Sequence, residues 1–236
     1  MRGEYYSLLL IAGVGMTLMA SSRELLTAYI SLELLSFTLY ILVGYFKHER
    51  RANEASLKYI LLGAFSSAML LYGISLLYGI TGTTSYEGIA AALELREAGT
   101  DPGMIMAIVL IIAGVGFKVS AVPFHMWAPD VYEGSATPIT AYFTTIPKIG
   151  AIGFLIKFLN IPFESYLDAW FQILYLVSIA SMFLGSIAAV KQNNIKRLLA
   201  YSSISHMGFI LIGILTDNHL GIKSVQLYIS IYMANI

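Results

Sequence analysis

The chain is 236 residues long, with fourteen basic and fourteen acidic residues, no cysteine and a mean hydropathy of +0.75. Charged residues make up 12%, about half the roughly 25% of a soluble domain, so a water-soluble globule could not cover its surface. Zero net charge excludes an electrostatic nucleic-acid binder, and the missing cysteines exclude thiolate metal sites, iron–sulfur clusters and disulfides.

The remaining class is an all-α polytopic membrane protein, and the charge-free runs count its spans. Tyr5–Ser22 is the first. Arg2 and the small residues at 20–22 also fit a secretory leader, but six further spans make a first membrane helix the better reading. Leu25–Phe46 carries one interior acid, Glu33, and Tyr59–Tyr86 is uncharged. Gly103–Trp127 holds Lys118 and Gly134–Ile156 holds Lys148, while Ala169–Val190 and Leu198–Thr216 are again uncharged. About 20 apolar residues cross a bilayer, so these runs make about seven full transmembrane helices in one domain, 1–236. An eighth run, Ser224–Ile236, is too short for a crossing. A helix ending in hydrocarbon would strand its carbonyls, so the chain reads as a piece of a longer protein.

The connections carry the remaining charges. Within Gly79–Asp101, residues Ile89, Ala92 and Leu93 recur at helical spacing between Glu87, Glu94, Arg96 and Glu97. This predicts a short amphipathic surface helix over 86–98. Loops 46–53 and 190–197 concentrate Lys47, Arg50, Arg51, Lys191, Lys196 and Arg197, which places both in the cytoplasm. The connection 126–134 falls on the same side, yet has Asp130 and Glu133 and no Lys or Arg.

Glu33, Lys118 and Lys148 sit where charge is expensive. A lone charge at mid-bilayer costs at least about 2.5–3.5 kcal/mol, so it persists when paired, hydrated or neutralised. A single buried pair can be purely structural. Two deep lysines with one deep acid leave a lysine without a fixed partner, which suits a proton relay. His206, inside Leu198–Thr216, can pass a proton through either ring nitrogen or serve as a hydrogen-bonded core residue. His125 and Lys58 are secondary candidates. The first also fits a satisfied core histidine, and the second, four residues after Glu54, fits a surface pair.

Two helices should be disturbed beside their lysines. Pro123, after Gly114, Gly116 and Lys118, predicts a helix broken over Lys118–Pro123. Pro147 predicts a perturbed helix next to Lys148. Transporters place ion sites at such breaks.

The run Phe117–Gly134, with Ala128-Pro129-Asp130-Val131-Tyr132-Glu133-Gly134, resembles the broken helix and following segment of the antiporter-like membrane subunits of respiratory complex I, in the branch called subunit N. Ser31–Ser36 is similar to the family's glutamate-bearing helix, and Thr137–Lys148 to the helix of its central lysine. Ile195–Phe209 resembles a segment shared across the superfamily. The resemblance implies a proton-translocating, non-redox membrane-arm subunit of NADH–quinone oxidoreductase in a bacterial inner (plasma) membrane. Glu33 would pair with Lys118, Lys148 would take and pass the proton, and His206 would stand on the path to the next half-channel. This chain would hold no cofactor or metal; NADH, FMN, iron–sulfur clusters and quinone would belong to other subunits. Its partners would be adjacent antiporter-like and small membrane-arm subunits and the lipid bilayer, with no nucleic acid. A second broken helix and a terminal lysine would lie outside this chain. Two other classes stay open: a subunit of a multi-subunit Na⁺/H⁺ antiporter or hydrogenase-type relative, and an inactive, truncated membrane scaffold.

Overall fold

A computed structural model describes residues 3–94, 101–163 and 166–234. They form ten helices: α1 (Gly3–Ser21), α2 (Leu25–Val43), α3 (Arg50–Thr81), α4 (Tyr86–Glu94), α5 (Pro102–Val119), α6 (Trp127–Gly134), α7 (Thr137–Asn160), α8 (Leu167–Val190), α9 (Ile195–Leu215) and α10 (His219–Ala234). Seven of these, α1, α2, α3, α5, α7, α8 and α9, are long and apolar enough to cross a membrane. The described residues contain no strand, only an isolated bridge between Glu24 and Ser85. That bridge ties the entrance of α4 to the α1–α2 turn.

Local chemistry sets the helix ends. Asp101 caps α5 by accepting from the Gly103 amide at 2.9 Å, with Pro102 in the first turn. Asn194 caps α9 by accepting from the Lys196 amide at 2.9 Å. Gly82, at φ 73, ends α3 in the left-handed conformation open to glycine. The outward faces stay apolar: Phe65, Leu176 and Phe183 are each about two-thirds exposed. Such faces suit hydrocarbon and not water.

The interior is centred on α7, which touches α1, α2, α5 and α9. Small residues allow the closest helix approaches. A Cβ on Gly114 would lie 2.6 Å from Leu70 Cβ, so α5 needs glycine there to seat on α3. On α9, a Cβ on Gly208 would meet Met182 Cγ at 2.7 Å and the Ser178 carbonyl at 2.8 Å.

Three sequence expectations change. The connection 126–134 is not a loop: Trp127–Gly134 is helical, and its acids meet cations brought from distant helices. Pro147 leaves α7 helical from Thr137 to Asn160. Proline removes one amide donor, and in a packed membrane helix the neighbouring turns can carry on around it. The third span begins at Arg50, nine residues before Tyr59, because a charged first turn can extend beyond the apolar stretch. The helix expected over 86–98 is described over Tyr86–Glu94; residues 95–98 lie outside the described residues.

Candidate functional site

The break after Lys118 has defined hydrogen bonding. Ser120 takes φ 62. Its amide donates to the Phe117 carbonyl at 3.0 Å, and the Ala121 amide donates to Gly116 at 2.8 Å. This is the paired pattern of a Schellman helix end, with serine where glycine is usual. Trp127 Nε1 then reaches back across the break and donates to the same Phe117 carbonyl at 2.8 Å. Ser181 of α8 accepts from the Val122 amide at 2.9 Å. The break is therefore held by donors and acceptors from both sides.

Lys118 is 8% exposed, on the last turn of α5. Its Nζ donates to Ser36 Oγ at 2.8 Å and lies 4.0 Å from Glu33 Oε1. Ser36 donates its own hydrogen to the Leu32 carbonyl at 2.7 Å, which leaves oxygen lone pairs for the lysine. Glu33 accepts from Ser67 Oγ of α3 at 2.5 Å. The rings of Tyr40 and Phe117 stand 6.0 and 5.8 Å from the ammonium, within reach of cation–π attraction. Glu33 and Lys118 are thus neighbours, with a serine beside each.

Lys148 is 3% exposed, in the middle of α7. It donates to Ser203 Oγ of α9, and Tyr132 of α6 lies with its ring 5.7 Å from the ammonium. No carboxylate pairs with it among the described residues. Ser203 Oγ also shares a hydrogen bond of 2.6 Å with Tyr232 Oη of α10. His206 Nδ1 shares one of 2.7 Å with Tyr228 Oη. Ser203, His206, Tyr228 and Tyr232 line a cleft of about 510 Å³ with Thr144 and Ser202. Lys118 and Pro147 line a separate cavity of about 10 Å³, space for one water at most.

The structure places the two secondary candidates elsewhere. Lys58 is at the bundle end, 3.0 Å from both Glu54 and Asp130. Arg197 meets Asp130 at 2.7 Å and Glu133 at 3.1 Å. Lys196 Nζ donates to the Ser135 carbonyl at 2.6 Å, and Asn194 Nδ2 donates to Glu133 at 3.2 Å. These contacts clasp α6 between the N-terminal ends of α3 and α9. Burial alone would raise the pKa of Asp130, but hydrogen bonds from Lys58 and Arg197 outweigh it and hold this carboxyl below its ordinary value. His125 lies half-buried in the turn between α5 and α6.

Sequence reasoning missed the hydroxyls: Ser36, Ser67, Ser203, Tyr228 and Tyr232. Two of them were within reach. Ser36 follows Glu33 by three residues and Ser203 precedes His206 by three, and such spacing shares a helix face.

The family model described as NADH:quinone oxidoreductase/Mrp antiporter, TM, matches residues 22–235. NADH-quinone oxidoreductase subunit N of Paramagnetospirillum magneticum is 50% identical over 98% of this chain and 48% of its own length. Its namesake in Sphingopyxis alaskensis is 48% identical over 99% and 48%. A chain of respiratory complex I from Thermus thermophilus with bound aureothin superposes with a TM-score of 0.81 at 38% identity, over 98% of this chain and 50% of that one. A chain of the Mrp complex from Dietzia sp. shares the fold, with a TM-score of 0.86 at 24% identity. The chain spans about half the length of the curated relatives it matches. With its broken helix, its deep lysines and a family match across nearly all its length, the chain belongs to the NADH:quinone oxidoreductase/Mrp antiporter transmembrane family.

Proposed function

We propose that the chain is part of a proton-translocating membrane-arm subunit of NADH–quinone oxidoreductase in a bacterial inner membrane. It would be embedded beside neighbouring antiporter-like and small membrane subunits. NADH, FMN, iron–sulfur clusters and quinone act in other subunits, and this chain contributes no electron transfer. Its part in the enzyme is to move protons through Glu33, Lys118, Lys148 and His206.

The observation that carries this reading is the 4.0 Å spacing of Glu33 and Lys118, each with a serine as its near partner. A pair held so has a closed arrangement and an open one within a small movement of the lysine. When Lys118 is drawn to Glu33, Lys148 is relieved of a neighbouring cation and keeps its proton. When the pair opens, repulsion from Lys118 favours release of that proton. The ion pair thereby becomes a switch for loading and unloading Lys148. Lys58 belongs in this reading to the surface clasp and His125 to the turn of the broken helix, both outside the relay.

A Na⁺/H⁺ antiporter subunit or a hydrogenase-type relative would use the same buried groups. The Ala128–Gly134 segment and the identity to subunit N favour the first reading. Ion flux in reconstituted vesicles separates these possibilities. In the full-length subunit within its assembled complex, Lys148→Ala is expected to abolish proton pumping while the complex still assembles. Normal pumping by that variant overturns the proposal. An inactive scaffold would instead lose only stability when Glu33 and Lys118 are replaced together.

A further inference from the structure

We infer that Ser203 and Tyr232 form a hydroxyl bridge that carries the proton of Lys148 out to the cleft beside His206. The inference rests on the proposed translocation reading and adds two relay residues to it.

Three observations place the bridge. Lys148 donates to Ser203 Oγ and is paired with no carboxylate among the described residues. Ser203 Oγ lies 2.6 Å from Tyr232 Oη, so nitrogen, hydroxyl and phenol form a continuous chain. Ser203 and Tyr232 both line the 510 Å³ cleft. The His206 ring stands 5.0 Å from the Tyr232 ring, centroid to centroid, and lines the same cleft. The bridge therefore leads from the buried ammonium to the cleft.

A hydroxyl can donate one proton and accept another at once, and this is what a relay needs. The ammonium of Lys148 gives a proton to Ser203 Oγ as Ser203 gives its own to Tyr232 Oη. Tyr232 in turn gives its own to a water in the cleft. One N–H and two O–H bonds break, and three O–H bonds form. One proton leaves Lys148 and no electrons are exchanged. Rotation of the two hydroxyls resets the chain. The purely structural alternative is that Ser203 and Tyr232 satisfy a buried ammonium and fix α9 and α10 against α7.

The test uses the full-length subunit in its assembled complex, with proton pumping and quinone reduction measured together. Tyr232→Phe keeps the ring and removes the hydroxyl; Ser203→Ala breaks the link and Ser203→Thr restores a hydroxyl. Tyr232→Phe and Ser203→Ala are expected to lower coupled pumping about a hundredfold, the low end of what one positioned proton-transfer group contributes. Ser203→Thr should recover it, and the solvent deuterium isotope effect on pumping should grow in Tyr232→Phe. Tyr175→Phe, at a half-exposed position on α8, should match the unmodified complex. If Lys148→Ala stops pumping while Tyr232→Phe and Ser203→Ala pump normally, the bridge is overturned and the translocation reading stands. Loss of pumping with an unchanged isotope effect and no rescue by Ser203→Thr also overturns the bridge, in favour of the structural role. Normal pumping by Lys148→Ala removes both.

Discussion

Lys118 Nζ stands 4.0 Å from Glu33 Oε1, while its nearer contact, at 2.8 Å, is the hydroxyl of Ser36. Glu33 in turn accepts from Ser67 at 2.5 Å. Two opposite charges in a low-dielectric interior attract strongly, so in the proposed switch the neutral groups that hold them short of full contact would define its open arrangement. Ser36 and Ser67 sit on different helices, α2 and α3, and so a shift of either helix would move the balance.

Removing the two serines should close the pair. In Ser36→Ala/Ser67→Ala the ammonium loses a hydrogen bond that, to a charged group, is worth about 1.5–3 kcal/mol. It recovers that by contact with Glu33. A pair held shut cannot alternate, so proton pumping should fall several-fold while the complex assembles. Pumping equal to that of the unmodified complex, with quinone reduction also unchanged, would leave the serines with a structural role alone.

The spans and deep charges were legible because each obeys a strong physical rule. Hydrocarbon demands long apolar helices, and Glu33, Lys118 and Lys148 stand out against it as costly exceptions. The break was legible because Pro123 cannot sit inside a helix without loss. The short helix α6 was not. Its Ala-Pro-Asp start reads as a turn, and its acids find partners far away in sequence: Asp130 meets Lys58 and Arg197. Hydroxyls were silent for a different reason. Serines on helices commonly bond their own preceding turn, as Ser31 does to Thr27. Only its spacing of three residues from Glu33 marks out Ser36, which bonds its own turn and a lysine at once.

The helix break should respond oppositely to changes at its two ends. Ser120 has φ 62 and a fully buried Oγ with no hydrogen-bond partner in the described structure. Left-handed backbone costs a residue with a Cβ about 1–2 kcal/mol, more than the roughly 0.5–1 kcal/mol of extra chain entropy that glycine loses on folding. Ser120→Gly should therefore stabilise the subunit by up to about 1 kcal/mol. Trp127→Phe removes one of the Phe117 carbonyl's two donors and leaves it the Ser120 amide, a loss of about 0.5–1.5 kcal/mol. Thermal unfolding of the detergent-purified complex, with amide exchange over residues 117–121, checks both. A destabilising Ser120→Gly would show that the serine conformation is needed and not strained.

At the bundle end the clasp on α6 should be sensitive to acid. Lys58 and Arg197 hold the Asp130 carboxyl below its usual pKa against the opposing effect of burial. Asp130 in the folded chain therefore takes up its proton at a lower pH than in the unfolded chain. The stabilisation is complete above the ordinary aspartate pKa of about 3.9 and is lost as pH falls through the lower folded value. These pairs are partly exposed, with the Asp130 side chain 37% accessible, so each is worth about 0–1 kcal/mol. Amide exchange at residues 127–134, taken relative to its intrinsic rate, should be constant from neutral pH down to about 5 and should accelerate near and below about 4. Arg197→Gln breaks contacts to both Asp130 and Glu133, so it should speed exchange at neutral pH and shrink the acid step. Superimposable pH profiles for the two proteins would mean that α6 is held by its buried face, Trp127, Val131 and Tyr132, and not by the ionic clasp.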